Sequence, residues 1–266
     1  MDTLIRNGKL INADASSFLD VRVAGEKIIQ VGAELSLKKG EQVIDASGCY
    51  LFPGAIDPHV HMALPTKYGT SSDDFLTGSI AALAGGTTTC IDFVTPQKGQ
   101  RLSEAISSRR KEAEKSVLDH SFHVSPVEWR SGMDREIRDC IREEGLRSFK
   151  AYMAYKSTIG LDDDELLKVM EVIAEENGVL AVHCESGDEI EVLREKFAKE
   201  GRLEPIYHAR SRPAELEAAA VERLVSLVER TGCAVYIVHV SAALTLEVIR
   251  KAREKNLPVF AETCPQ

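Results

Sequence analysis

Short apolar runs recur along the chain, and the spacing between them changes near residue 53. Before that point, runs such as Thr3–Arg6, Leu19–Val23 and Lys27–Val31 alternate apolar and polar positions. Asn7-Gly8, Ala24-Gly25 and Gly32 separate them. A period of two with turn residues between predicts β-strands. Residues 1–53 are therefore expected to form the N-terminal part of a small β-sandwich-type domain, with too few strands to stand without partners from elsewhere in the chain.

From Gly54 the apolar runs alternate with longer amphipathic stretches. The strand-like runs are Phe52–His59, Thr88–Val94, Ser121–Val127, Ser148–Tyr155, Val179–Cys184, Ala234–Val240 and Val259–Cys264. Helices are expected over Leu102–Lys115, Met133–Glu144, Asp162–Glu176, Ala214–Thr231 and Leu244–Lys255. There apolar residues return at three and four, as in Leu166, Leu167, Met170, Ile173 and Ala174. Gly85-Gly86, Gly145, Gly178 and Gly232 stand just before strands, where a helix end favours a left-handed residue.

Repeated βα units predict a parallel sheet, open or closed. A doubly wound sheet would want a glycine-rich phosphate loop after its first strand. Here that strand runs into His59-Val60-His61. The fold class expected is therefore α/β, a TIM-like (β/α)8 barrel over residues 54–266 with its chemistry at the C-terminal strand ends. Seven strands are counted where closure needs eight, so the chain is expected to be part of a longer one.

With 44% hydrophobic and 28% charged residues in 266, the composition is that of a globular protein, which excludes disorder, collagen and coiled coil. The 33 basic and 42 acidic residues give a net charge of −9. That excess argues against nucleic acid or anionic membrane as partners. Arg109-Arg110-Lys111 is followed by Glu112 and Glu114 and reads as a solvated helix face. Six scattered cysteines with no C-x-x-C pair suit free thiols in a reducing compartment. With no signal-peptide pattern and no apolar run long enough to span a bilayer, a cytoplasmic protein is expected.

His59 and His61 are two apart in a strand-like run, which puts both on one face, as half a metal site or as two polar residues at a rim. His183 and His239 fall near the ends of the fifth and sixth runs. In a parallel barrel these ends converge, so four imidazoles are expected to face one another. Lys150 lies inside a strand buried on both faces. Burial favours its neutral, nucleophilic amine, which can take up carbon dioxide as a carbamate able to bridge two cations. A lysine reaching the rim, or paired with a carboxylate, is the other possibility. Two metals sharing an oxygen ligand would activate water for hydrolysis of an amide or ester-like bond. Zinc suits the donors best, and manganese or iron would also serve.

Together, Gly54–His61, Ser148-Phe149-Lys150, His183, His239 and Glu262-Thr263-Cys264-Pro265-Gln266 resemble the cyclic amidohydrolases, and within them the dihydropyrimidinase/hydantoinase family. Gly69–Phe75, Gly85–Thr89, Met153–Lys156 and Tyr207–Pro213 extend the resemblance. It implies a binuclear zinc site, with His59 and His61 on the more buried ion, His183 and His239 on the other, and carbamylated Lys150 bridging. Tyr155 would hydrogen-bond the substrate carbonyl and the developing oxyanion. The loop Met62–Tyr68, with part of Tyr152–Ile159, would line the substituent pocket, which makes Met62, Leu64 and Tyr152 candidate substrate contacts. The reaction implied opens a hydantoin or 5,6-dihydropyrimidine ring to an N-carbamoyl amino acid, in a homotetramer.

The family also uses an aspartate at the end of an eighth strand, so this chain alone is expected to have at most residual activity. Val60 replaces a frequent threonine, and Ala151-Tyr152 a more usual Val-Phe pair. His120 and His123 are expected in packing or rim roles. His208 and Arg212 suit structure as well as substrate contact. Cys184 should point away from the site, while Asp57 would support the histidines from behind. An allantoinase or dihydroorotase shares the two-metal plan, although Met62-Ala63-Leu64-Pro65 is apolar where a carboxylate-bearing ring wants arginines. A non-catalytic scaffold like the neuronal collapsin-response proteins is the reading from another class. Those have lost ligands that are intact here.

Overall fold

The computed structural model describes residues 2–66 and 69–264. By its internal contacts the chain divides into two units: residues up to Asp57 with Ala82–Thr89, and Pro58–Ala81 with the residues from Cys90 onward.

In the first unit the alternating segments form two small sheets. One has Lys27–Gly32, Asp20–Ala24 and Thr3–Arg6 antiparallel in that order, with Gln42–Asp45 parallel to Thr3–Arg6. The other sets Lys9–Ile11 between Ser16–Phe18 and Tyr50–Leu51. Leu4 and Val21 are buried. Arg22, also buried, is satisfied by Glu41 at 2.5 Å and by the Ser36 carbonyl. Ile28, Val31, Val43, Ile44 and Phe52 stay exposed, which accords with a sheet whose apolar face is only partly covered.

The parallel sheet has seven strands in sequence order: Ala55–Asp57, Thr87–Val94, Asp119–Val124, Ser148–Tyr152, Val179–His183, Ala234–Ile237 and Val259–Ala261. Helices lie between them as the periodicity predicts, at Leu102–Ala113, Met133–Arg142, Asp163–Glu175, Ala214–Thr231 and Ala243–Glu254. Phe75–Ala84, Gly187–Lys199 and the single turn Ile206–Arg210 are helical as well. Tyr207–Arg210 belongs to that last turn.

The core lies between sheet and helices. Along the fourth strand Phe149 and Ala151 face it with no exposure, next to Leu180 and Val182 of the fifth. Ile137, Val169, Ile173, Val221 and Leu224 close it from the helices. Strand alternation therefore turns Lys150, between Phe149 and Ala151, to the opposite face.

Gly86, Gly145 and Gly232 are left-handed, as expected before a strand, but at the fourth such place Asn177 takes that conformation instead of Gly178. Gly178 is there for space. A Cβ would lie 3.0 Å from the Arg147 carbonyl oxygen and from Ile173.

The helix Asp163–Glu175 starts with a full capping box. Asp162 accepts from the Glu165 backbone N–H at 2.8 Å, and Glu165 accepts from the Asp162 N–H at 3.2 Å. Asp162→Ala is expected to lower stability by about 1 kcal/mol, measured by urea denaturation, with no change in metal binding.

Candidate metal centre

The second unit carries the whole cluster. His59 and His61 are not within the first strand, which ends at Asp57; they occupy the irregular segment that follows. Their rings still meet, 5.3 Å apart and edge to face. Phe93, at the end of the second strand, is the floor. His61 stacks on it at 4.4 Å, and His59 and His123 approach it at 4.8 Å.

His183 ends the fifth strand, and His239 lies two residues past the sixth. The four imidazoles form one cluster: the His183 and His239 rings are 4.7 Å apart, His59 and His239 5.7 Å. His183 Nδ1 and His239 Nε2 face each other at 2.9 Å.

Backbone strain gathers at the same strand ends. Among the described residues other than glycine, positive φ occurs at Asn7, Glu34, Ala63, Tyr155, Asn177, His239 and Asn256. Asparagine adopts it readily, whereas Ala63, Tyr155 and His239 do so at a cost of about 1–3 kcal/mol each. All three stand in the segments that carry the cluster.

Lys150 is 1% exposed. Its Nζ lies 5.3 Å from the Phe93 ring centre and 5.2 Å from that of Tyr152. Among the described residues no carboxylate reaches ion-pair distance. Burial pulls its pKa down to about 8, against a weaker upward pull from Cys184 and Glu262. Burial also takes His61 and His239 to about 4, helped by the neighbouring histidines and Lys150, and lowers His123. His61 and His239, held neutral, offer unshared nitrogen lone pairs, which is what a borderline divalent cation binds.

That donor set fits the metals the resemblance implies, with one qualification of geometry. Among the described residues no three His, Cys, Asp or Glu side chains are spaced to close on one ion. Each half of the cluster supplies two imidazoles, and an oxygen donor on Lys150 would complete both.

Two carboxylates brace the rings. His59 Nδ1 meets Glu262 Oε1 at 2.5 Å, and His183 Nε2 meets Glu185 Oε2 at 3.0 Å. Neither role is readable from sequence. Glu262 is placed by backbone bonds to Ile237 and Val240 of the sixth strand region, a pairing between distant segments. His123, expected to pack, is buried and bridges strands: its Nε2–H donates to the Pro58 carbonyl at 2.8 Å, and Nδ1 accepts from Ser148 Oγ at 2.6 Å.

A cavity of about 600 Å³ opens beside His61, lined by Leu64, Pro65, Phe93, Thr95, Tyr152 and Ile159. Met62 is not part of its wall. Its side chain turns into the core over Gly78, where any Cβ would lie 2.4 Å from the Met62 sulfur. Lys67 and Tyr68 of the same loop lie outside the described residues, as do Pro265 and Gln266. Tyr155, 43% exposed, sets its ring 5.3 Å from His183, and its carbonyl closes the turn through Gly160.

Asp57 is exposed at the end of its strand. His120 packs near Phe75 and Phe122, away from the cluster. Cys184 is buried, and burial pushes its thiol well up, which leaves it no nucleophile. Arg109 departs from the solvated face that the sequence suggested. It points inward onto the fully buried Asp92 at 2.6 Å, while Arg110 reaches Glu144.

Residues 50–265 match the amidohydrolase family, and the chain belongs to that family. Within it, the chain is similar to a D-hydantoinase of Geobacillus stearothermophilus, 42% identical over an alignment of 267 positions that covers 100% of this chain and 56% of that protein. The crystal structure of a dihydropyrimidinase from Brevibacillus agri superposes with a TM-score of 0.97 at 38% identity, covering 100% of this chain and 58% of that one. An L-hydantoinase from Arthrobacter aurescens gives 0.87 at 26% identity, over 99% and 58%. The chain thus spans 56 to 58% of the length of these proteins. Among the described residues no helix is long and apolar enough to cross a membrane.

Proposed function

We propose that the protein hydrolyses the cyclic amide bond of hydantoins or 5,6-dihydropyrimidines to N-carbamoyl amino acids, using two divalent metal ions, zinc first among them. The observation that carries this is Lys150: a lysine 1% exposed among four histidines, with no carboxylate partner among the described residues. Its neutral Nζ adds to carbon dioxide, forms the N–C bond and releases a proton, which leaves a carbamate with two oxygens. His59 and His61 would hold one ion, His183 and His239 the other, with the Lys150 carbamate between them. The metals would supply a hydroxide from water at neutral pH and polarise the scissile carbonyl.

The chain's own groups do the rest. The Tyr155 hydroxyl donates to the carbonyl oxygen and follows it as negative charge develops. Leu64, Tyr152 and Ile159 receive the ring substituent in the cavity beside His61. The apolar wall keeps bulk water from the ring.

An allantoinase or dihydroorotase would need free cations in this cavity. Arg109 does reach it, but its guanidinium is bound to Asp92, Glu112 and the Met62 carbonyl. The test assays the Zn2+-loaded protein on hydantoin, dihydrouracil, allantoin and dihydroorotate side by side. Turnover of the first two is expected, at a residual level for this chain alone. Turnover of only the last two overturns the substrate assignment, and full turnover overturns the expectation that a further catalytic group is needed.

A further inference from the structure

Glu185 stands two residues past His183 and accepts from its Nε2 at 3.0 Å. Its other oxygen lies 3.4 Å from Arg212 Nε, and both side chains are 18% exposed. Arg212 is itself fixed: Nη1 donates to the His208 carbonyl at 3.3 Å and to Ser211 Oγ at 3.2 Å. Ser211, fully buried, ties back to the same carbonyl at 2.8 Å. The segment Tyr207–Pro213, which the reaction itself does not use, therefore terminates on a histidine of the cluster.

A neutral imidazole has a single N–H, and its partner decides which nitrogen carries it. Ionised, Glu185 can only accept. It holds the proton on Nε2 and leaves the Nδ1 lone pair aimed at His239 Nε2, 2.9 Å away. On His59 the arrangement is reversed, since Glu262 takes Nδ1. The two carboxylates thus hold opposite ring nitrogens.

We infer that Glu185, held in place by Arg212, is a positioning residue that fixes His183 in the Nε2–H tautomer and so sets the affinity of the divalent cation shared with His239. The inference rests on the proposed metal site. A carboxylate behind a ligating histidine also raises its basicity, and removing such a group typically weakens binding by about 10–100-fold.

Three variants of the full chain test it: Glu185→Ala, Glu185→Gln and Arg212→Met. Each is titrated with Zn2+ against a chromophoric chelator, and the His183 tautomer is read in the metal-free chain by long-range 1H–15N NMR. Glu185→Ala is expected to weaken one of two Zn2+ equivalents about 10–100-fold, to spare the other, and to mix the His183 tautomers. Glu185→Gln keeps an acceptor, so it should retain the tautomer while still losing affinity at that one site. Arg212→Met should show a smaller loss at the same site. If Glu185→Ala does not fold, the near-isosteric Glu185→Gln decides on affinity. Unchanged affinity in Glu185→Gln, or an unmoved tautomer in a folded Glu185→Ala, overturns the inference alone. Failure of the wild-type chain to bind Zn2+ overturns the metal site on which it rests.

Discussion

Lys150→Met is expected to stabilise the metal-free chain by about 3 kcal/mol at pH 7 and to abolish binding of the second metal ion. The side chain is buried among Phe93, Tyr152 and the imidazoles, and burial takes its pKa from an ordinary 10.5 to about 8. Each tenfold change in a protonation equilibrium is worth about 1.4 kcal/mol, so holding this ammonium in the fold costs about 3 kcal/mol. The sign follows from proton counting. Between about pH 8 and 10.5 the unfolded chain holds a proton on this amine that the folded chain has released, so stability rises with pH across that window. Below about 8 both states are protonated and the full cost is present. Chemical denaturation in chelator should show the gap between Lys150→Met and the wild type at pH 7 and its closure near pH 10.5. A gap independent of pH would mean that the lysine's charge is not the cause. The same low value matters for chemistry: at pH 7 about a tenth of Lys150 is neutral, against fewer than about one in a thousand of ordinary lysines.

Such a lysine can be found from sequence because strand alternation is rigid. Once Ser148–Tyr152 is a strand between two others, Phe149 and Ala151 must share one face and Lys150 the other. His183 and His239 are found the same way, as polar residues that end apolar runs. The parallel sheet is legible for the same reason, since its strands and helices carry different periods. What escapes is whatever depends on a partner far along the chain. Arg109 sits in a run of three cations whose order says nothing about which one turns inward. That is decided by Asp92 on a neighbouring strand. Met62 reads as a pocket residue until the missing Cβ of Gly78 opens a place for its sulfur in the core. Glu262 and Glu185 are two acids among 42, and only the folded sheet brings them to His59 and His183. The unexpected strain at Ala63, Tyr155 and His239 belongs to this class too, because no local residue preference asks for it.

Arg109→Met is expected to lower stability by about 3–5 kcal/mol at pH 7, because it leaves a buried carboxylate without its cation. Asp92 is 0% exposed and accepts four hydrogen bonds: from the Met62 N–H at 2.8 Å, its neighbour Phe93 N–H at 2.6 Å, and Arg109 Nε and Nη2 at 2.9 and 2.6 Å. Arg109 also donates to the Met62 carbonyl at 2.5 Å and covers the Phe75 ring at 4.6 Å. Methionine keeps the contact with that ring, so the loss is chiefly electrostatic. Burial already holds the Asp92 carboxyl above its usual range, with Arg109 pulling the other way. Without the arginine the folded-state pKa rises further above the unfolded value, so the folded chain gains protons as pH falls. The deficit of Arg109→Met should therefore shrink toward pH 5. Asp92→Asn in the Arg109→Met background removes the orphan charge and keeps an acceptor for Met62, and it should recover about 2 kcal/mol. Because both residues grip the backbone next to His61, the single variant is also expected to weaken Zn2+ binding, and the double variant to restore it only in part. Additive losses in the two single variants, with no recovery in the double, would show that Asp92 and Arg109 do not act as a pair.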